Sequence, residues 1–193
     1  AAFAVEKIGH DNFYDYAVKF GFDGKTGIPL PGEIKRNLKS LRKDARDINF
    51  ATASFGQGVA VTPIALINAI SAIANGGLLM KPYLITDSKP ELIRRVIKSE
   101  TALEVKKMMT SAVKKAGVAQ ILNYEVAGQP GTAQIPDFTR GGYTDQFIHT
   151  FAGFAPASRP RFTILIKLDK PQVGPLAGIT VVPGFRELAE FIL

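Results

Sequence analysis

The sequence predicts an α+β fold, an antiparallel β-sheet flanked by helices. Three observations carry that prediction. Helical periodicity with capping residues marks the first two thirds of the chain. Two β-branched and aromatic runs, 146–156 and 161–169, are separated by a short turn. An amphipathic segment closes the sequence.

The elements follow in order. In "DNFYDYAVKFGF", Phe13, Tyr16, Ala17 and Phe20 fall at helical spacing, with Asp11 as the expected cap and Gly21 as the stop. The stretch 21–33, "GFDGKTGIPLPGE", holds Pro29, Pro31 and Gly32 and reads as a loop. "TPIALINAISAIANGG" is a helix with Thr62 as cap, Pro63 at its first position and Asn75-Gly76-Gly77 at its end. It is apolar on nearly every side, so burial at the centre is expected. "SETALEVKKMMTSAVKKAG" is a second helix, with Ser99 as the expected cap, Glu100 and Glu104 early and Lys114 and Lys115 late, as the helix dipole favours. "EVAGQPGTAQI" reads as a strand with two glycines. "QFIHTFAGFAP" and "RFTILIKLD", joined by "APASRP", read as an antiparallel hairpin. "GFRELAEFIL" is the closing helix.

Composition narrows the chemistry. With 193 residues, 46% of them apolar, the chain is long enough to build a sizeable core. It has no cysteine, which excludes disulfides and thiolate chemistry. His10 and His149 stand far apart in sequence, so neither a zinc site nor any other metal or cofactor site is expected. No apolar run is long enough to span a membrane. "AAFAVEKIGHDNF" has no basic head or cleavage site, so no signal peptide is expected, and the absent initiator Met suggests a processed or excised chain. The net charge of +7 raises nucleic acid as a partner. The densest basic run, residues 35–46, has no aromatic to stack on a base, is interrupted by an acid at Asp44 and is followed by another at Asp47. It reads as a solvated surface, and no nucleic acid is expected.

Several motifs invite a catalytic reading. Gly24-Lys25-Thr26-Gly27 is close to a phosphate loop, but the required earlier glycine is Lys19, and prolines follow where N–H groups are needed. Ser-x-x-Lys, the spacing that sets a serine nucleophile one helical turn from a lysine base, occurs at Ser40–Lys43 and Ser111–Lys114. Both lie in charged, surface-like segments and read as coincidences. Asp137, Asp145 and Asp169 have no partner at a meaningful spacing. His149, mid-strand, reads as a packed or hydrogen-bonded structural residue.

Three stretches taken together resemble one family: "FGFDGKTGIPLPGE", then "ATASFGQGVAVTPIALINAISAIANGG", then "VAGQPGTAQ" with "HTFAGFAPASRPRFTILIKLDKP". They resemble, in that order, the transpeptidase domain of class B penicillin-binding proteins, the enzymes that cross-link peptidoglycan and are acylated by β-lactams. The resemblance implies the penicillin-binding and serine β-lactamase-like fold, in part. It implies that residues 1–193 are the C-terminal portion of one transpeptidase domain. No Ser-x-Asn occurs in the chain, so the nucleophile, its base and that motif are expected upstream, and the chain alone is expected to be inactive. The family's "GKTGIPLPGE" stretch is a structural loop. Its catalytic Lys-Thr-Gly corresponds to "QPGT": Gln129 stands where the family has Lys, Pro130 where it has Thr or Ser, and Gly131 and Thr132 match. These four residues are the implied substrate-binding set, with the Thr132 backbone N–H in the oxyanion hole. The implied partners are peptidoglycan stem peptides, β-lactams and proteins of the division or elongation machinery. The implied location is extracytoplasmic, on a parent anchored by an N-terminal segment. Because both departures strike one motif, the resemblance also admits a degenerate relative that binds peptidoglycan or division partners without catalysis.

Overall fold

The computed structural model describes residues 1–42, 44–85 and 87–193. They form two compact units, Ala1–Ala72 with Leu78–Val96, and Ile73–Gly77 with Ile97–Leu193.

The first unit is helical with a small antiparallel ribbon. It holds α1 (Ala2–Ile8), α2 (His10–Lys19), α3 (Asp47–Ala53), most of α4 (Pro63–Ala74), and β1 (Leu78–Met80) paired with β2 (Leu92–Arg95). Its core gathers Val5, Leu38, Leu41 and Phe50, with Phe13 and Ala17 from α2 packed against them. The His10 ring stacks on Phe50 at 3.9 Å. Asp11 is not the cap of α2: Gly9 takes that position and Asp11 lies in the first turn. Gly21 follows the helix with φ +85°, as a stop requires.

A polar lattice ties the loop after α2. One oxygen of the Glu33 carboxylate accepts from the Thr26 N–H at 2.5 Å and the Thr26 hydroxyl at 2.6 Å, and the other accepts from the Gly27 N–H at 3.2 Å. Gly24 and Arg36 exchange two backbone hydrogen bonds. The Arg36 guanidinium is buried and donates to the Gly21 carbonyl at 2.8 Å and the Thr62 hydroxyl at 3.0 Å. Thr62 caps α4 as expected, accepting the Ala65 N–H at 3.4 Å. The basic run is thus not uniformly solvated: Arg36, Leu38 and Leu41 point inward while Lys35, Lys39 and Arg42 are exposed. The central burial expected of α4 holds along one stripe, Ala65, Ala69 and Ala72, whereas Ile64, Leu66, Ile67 and Ile70 are half-buried. Small side chains allow the closest approach, so the alanine face is the one that packs.

In the second unit α5 (Ser99–Ala116) precedes a three-stranded antiparallel sheet of β3 (Ala127–Pro136), β4 (Tyr143–Ala155) and β5 (Phe162–Asp169), in that order across the sheet. The chain ends in α6 (Ala177–Thr180) and α7 (Val182–Ile192). Ser99 is the first residue of α5, not its cap. Lys98 occupies the cap position, and the Ser99 hydroxyl bonds Glu100 instead. Gly117 ends the helix in the left-handed region, and the Lys106 ammonium reaches the Ala74 carbonyl at 3.3 Å. The core centres on Phe151 and Phe185, whose rings meet edge-on at 4.6 Å, with Val181, Val182, Ala189 and Ile164 around them. The expected hairpin is present, and its connection carries a cis Ala155–Pro156 bond.

Three stability outcomes follow from these contacts. Gly77 has φ +92°, and a Cβ there would sit 2.2 Å from the Ile97 carbonyl oxygen. Gly77→Ala is expected to cost about 3 kcal/mol in denaturant unfolding, through strain and a backbone clash. Gly184→Ala, in α7 with nothing within 4 Å of the new Cβ, should leave stability equal or raise it by up to about 1 kcal/mol. At Glu33, burial raises the carboxyl, but the Thr26 hydroxyl, the Thr26 and Gly27 N–H groups and the Arg36 charge outweigh it and hold the group below its ordinary value. A depressed carboxyl stabilises the fold above its unfolded value and loses that contribution as pH falls through the folded one. Glu33→Gln should therefore be less stable than the unaltered protein at pH 7, with the difference shrinking below about pH 4; thermal melts across pH read it directly.

Candidate functional site

Among the described residues β3 pairs with β4 and has no strand on its other side. That position explains Pro130 in mid-strand. Proline has no N–H, so it sits in a strand where its nitrogen faces away from the ladder. Backbone groups alternate with period two, so the Thr132 N–H also points out from the free edge. The Pro130 carbonyl is available on the same side and accepts from the Gln129 amide at 2.9 Å. Gln129, Pro130 and Thr132 are exposed, and Gly131 is half-exposed. The four sequence-predicted residues therefore form one continuous, accessible stretch of strand edge.

Gly131 pairs with Thr150 on β4. A Cβ at Gly131 would lie 2.6 Å from the Thr150 hydroxyl. The glycine is required by that contact as well as by any ligand backbone approaching the strand. Thr132 is the partner of His149 across the ladder, and its hydroxyl accepts the Ala177 N–H at 3.2 Å. His149 is 1% exposed, and its Nδ1 lies 2.8 Å from the Thr180 hydroxyl. It is a packed, hydrogen-bonded residue, as its strand position indicates.

The remaining candidates do not assemble into chemistry. In the Gly24–Gly27 loop the Thr26 and Gly27 N–H groups, which a phosphate would need, are occupied by the protein's own Glu33 carboxylate. The Ser40 hydroxyl donates to the Gly58 carbonyl at 3.2 Å, and Lys43 lies outside the described residues. Ser111 and Lys114 are both exposed on α5, and the Lys114 ammonium is engaged by the Glu125 carboxylate. Asp137 closes the β3–β4 hairpin: its carboxylate accepts the Arg140 N–H at 3.0 Å and the Thr139 N–H at 2.9 Å, which hold it below its ordinary value. Asp145 is exposed, and Asp169 pairs with Lys167. Among the described residues no group of His, Asp and Glu side chains is placed to hold a metal ion.

Thr180 and Ala177 were not visible as part of this neighbourhood from sequence. They lie 45 or more residues from Thr132, in a helix of four residues with no periodicity to detect. Arg36 escaped for a related reason: its partners Gly21 and Thr62 stand 15 and 26 residues away.

The comparisons with known proteins agree on one family. The penicillin binding protein transpeptidase domain model matches residues 1–190. Stage V sporulation protein D of Bacillus subtilis is 34% identical over 183 residues, covering 86% of this chain and 28% of that protein. Penicillin-binding protein PbpB of Mycolicibacterium smegmatis is 32% identical over 212 residues, covering 98% of this chain and 32% of that protein. The crystal structure of penicillin binding protein 3 from Mycobacterium tuberculosis complexed with ampicillin matches with a TM-score of 0.86 at 29% identity, over 99% of this chain and 47% of that one. The transpeptidase domain of Burkholderia pseudomallei penicillin-binding protein 3 matches with a TM-score of 0.85 at 27% identity, over 99% of this chain and 58% of that one. The chain thus spans about a third of the length of these curated relatives. The α+β architecture is that of the penicillin-binding fold, and the chain belongs to the penicillin-binding protein transpeptidase domain family.

Proposed function

We propose that this chain is the C-terminal portion of the transpeptidase domain of a serine D,D-transpeptidase, which cross-links peptidoglycan stem peptides and is acylated by β-lactams. The observation that carries the reading is the edge of β3, free among the described residues, with an outward N–H at Thr132 directly after Gly131, in a chain whose residues 1–190 match the transpeptidase family. Relatives support it. Penicillin binding protein 3 of Mycobacterium tuberculosis was crystallised with ampicillin and with aztreonam. A protein of Neisseria meningitidis, 29% identical over 187 residues, is named a probable peptidoglycan D,D-transpeptidase.

In this reading the serine nucleophile, its lysine base and the Ser-x-Asn motif belong to an upstream part of the same domain. The serine oxygen attacks the substrate or lactam carbonyl, and the developing oxyanion is met by the Thr132 N–H. A preorganised donor of this kind contributes on the order of 3 kcal/mol to transition-state stabilisation. The domain works outside the cytoplasm on a membrane-anchored parent, together with division or elongation proteins. Among the described residues no helix is long and apolar enough to cross a membrane, so the anchor would lie elsewhere in the parent.

The Gln129-Pro130 pair sets the strength of the site. A lysine at 129 would offer the substrate carboxylate a charge. Gln129 offers only an amide, and that amide is bonded to the Pro130 carbonyl. Losing one charge-assisted contact costs about 1.5–3 kcal/mol, or roughly one to two orders of magnitude in rate. The same pair favours a second reading, a non-catalytic relative that binds peptidoglycan or division partners.

Intact-mass analysis of the full-length protein after exposure to a β-lactam separates the two. One covalent adduct per chain is expected, and residues 1–193 alone should take up none. Absence of an adduct that is restored by Gln129→Lys with Pro130→Thr would sink the catalytic reading and leave the binding one. If the unaltered protein does acylate, Gln129→Lys alone should speed acylation by about tenfold, as one regained charged contact predicts.

A further inference from the structure

We propose that His149 and Thr180 are positioning residues that brace the free edge of β3 at Thr132. As a role in acylation this rests on the reading of Thr132 as an oxyanion donor; as a brace it rests on the contacts alone.

Thr132 and His149 face each other across β3 and β4, so their side chains leave the sheet on the same face. Both reach α6. The Thr132 hydroxyl accepts the N–H of Ala177, the first residue of that helix, and His149 Nδ1 meets the hydroxyl of Thr180, its last residue. One cross-strand pair therefore fastens α6 at both ends. The helix continues into α7, which is anchored in the core by Phe185 against Phe151. A chain of contacts thus runs from the core through α6 to the outermost strand.

The imidazole has little alternative to this placement. His149 is buried, and its Nε2 has no hydrogen-bond partner. The Phe147 ring lies 6.2 Å away, and Leu168 faces it from β5. Removing the Thr180 hydroxyl would leave both ring nitrogens buried without a partner, a state that proteins avoid. The imidazole would have to shift, and α6 would lose one of its two fastenings to the sheet. β3 would feel this most, since among the described residues it has a ladder on one side alone. An oxyanion donor works through prior orientation, so a looser edge should slow acylation without changing how tightly the lactam first binds.

The test compares Thr180→Val, which keeps the shape and removes the hydroxyl, with Thr180→Ser, which keeps the hydroxyl. Both are made in the full-length protein. Residue-level hydrogen exchange is followed at Ala133, Ala177 and α5, and the acylation rate constant for a β-lactam is measured separately from its prior affinity. For Thr180→Val, exchange at Ala133 and Ala177 should quicken about tenfold, the worth of one hydrogen bond, with α5 unchanged. Acylation should slow by a similar factor at unchanged affinity, and Thr180→Ser should restore both. Unchanged exchange at Ala177 and Ala133 would overturn the proposal. So would an increase spread evenly through α5, a Thr180→Ser variant as defective as Thr180→Val, or local loosening with undiminished acylation. If the unaltered protein takes up no lactam, the transpeptidase reading fails by itself, and the exchange data still decide whether the brace exists.

Discussion

β3 has a ladder partner on one side and none among the described residues on the other, and the character of the site follows from that. A strand with two neighbours could not carry Pro130 at its middle, because one ladder bond would have no donor. A strand with two neighbours would also spend the Thr132 N–H on a carbonyl. The single-sided ladder leaves that donor facing out while β4 keeps its position fixed, residue against residue from Ala127 to Gln134. Fixity comes from the long central strand, whose residues Ile148 to Phe154 pair on both sides. Accessibility comes from the edge. The two requirements of a preorganised donor are met by neighbouring strands rather than by one residue.

The first unit solves a different problem with charges. Its loop after α2 has too many glycines and prolines to form a ladder, so the backbone groups find side-chain partners instead. Glu33 gathers three donors from Thr26 and Gly27, and the buried Arg36 joins the end of α2 to the cap of α4. Burial of the guanidinium is offset in part: Thr62 and Gly21 accept from its two terminal nitrogens and the charges of Glu33 and Asp23 oppose the desolvation, while the buried Nε has no partner. The resemblance of "GKTG" to a catalytic motif is therefore one of letters. Its donors serve the fold.

Much of this was legible in the sequence, for physical reasons that differ by element. β4 and β5 stood out because β-branched and aromatic residues cluster there and a proline-bearing turn separates them, whereas β3, with two glycines and a mid-strand proline, carries no such cluster. α4 was legible from its cap, α5 from its charges, and both from terminal glycines. Two of the three expected caps were not: Asp11 is the second residue of α2 and Ser99 the first of α5, while Thr62 does cap α4. A hydroxyl or carboxylate beside a helix start has several local partners, and sequence does not rank them. α1 and α3, with seven residues each, have too few turns to show a period. β1 and β2 were hidden too, one being three residues long and the other, Leu92–Arg95, exposed throughout. Gln129 to Thr132 were legible as one contiguous stretch because a single strand carries them. The link from Thr132 and His149 to α6 was not, because it joins residues that only the folded chain brings together.

An open strand edge is a hazard as well as an opportunity, since its unsatisfied groups form a template on which another chain can add a strand. The Gln129-Pro130 pair bears on that hazard. A strand laid along β3 would find no donor at Pro130, and the carbonyl of the same residue is already occupied by the Gln129 amide. Two consecutive points of attachment are missing at the middle of the edge, while the donor at Thr132 remains. Pairing over many residues is thereby discouraged, and contact over a few is not. The Gln129-Pro130 pair thereby makes this strand a poorer seed for edge-to-edge aggregation.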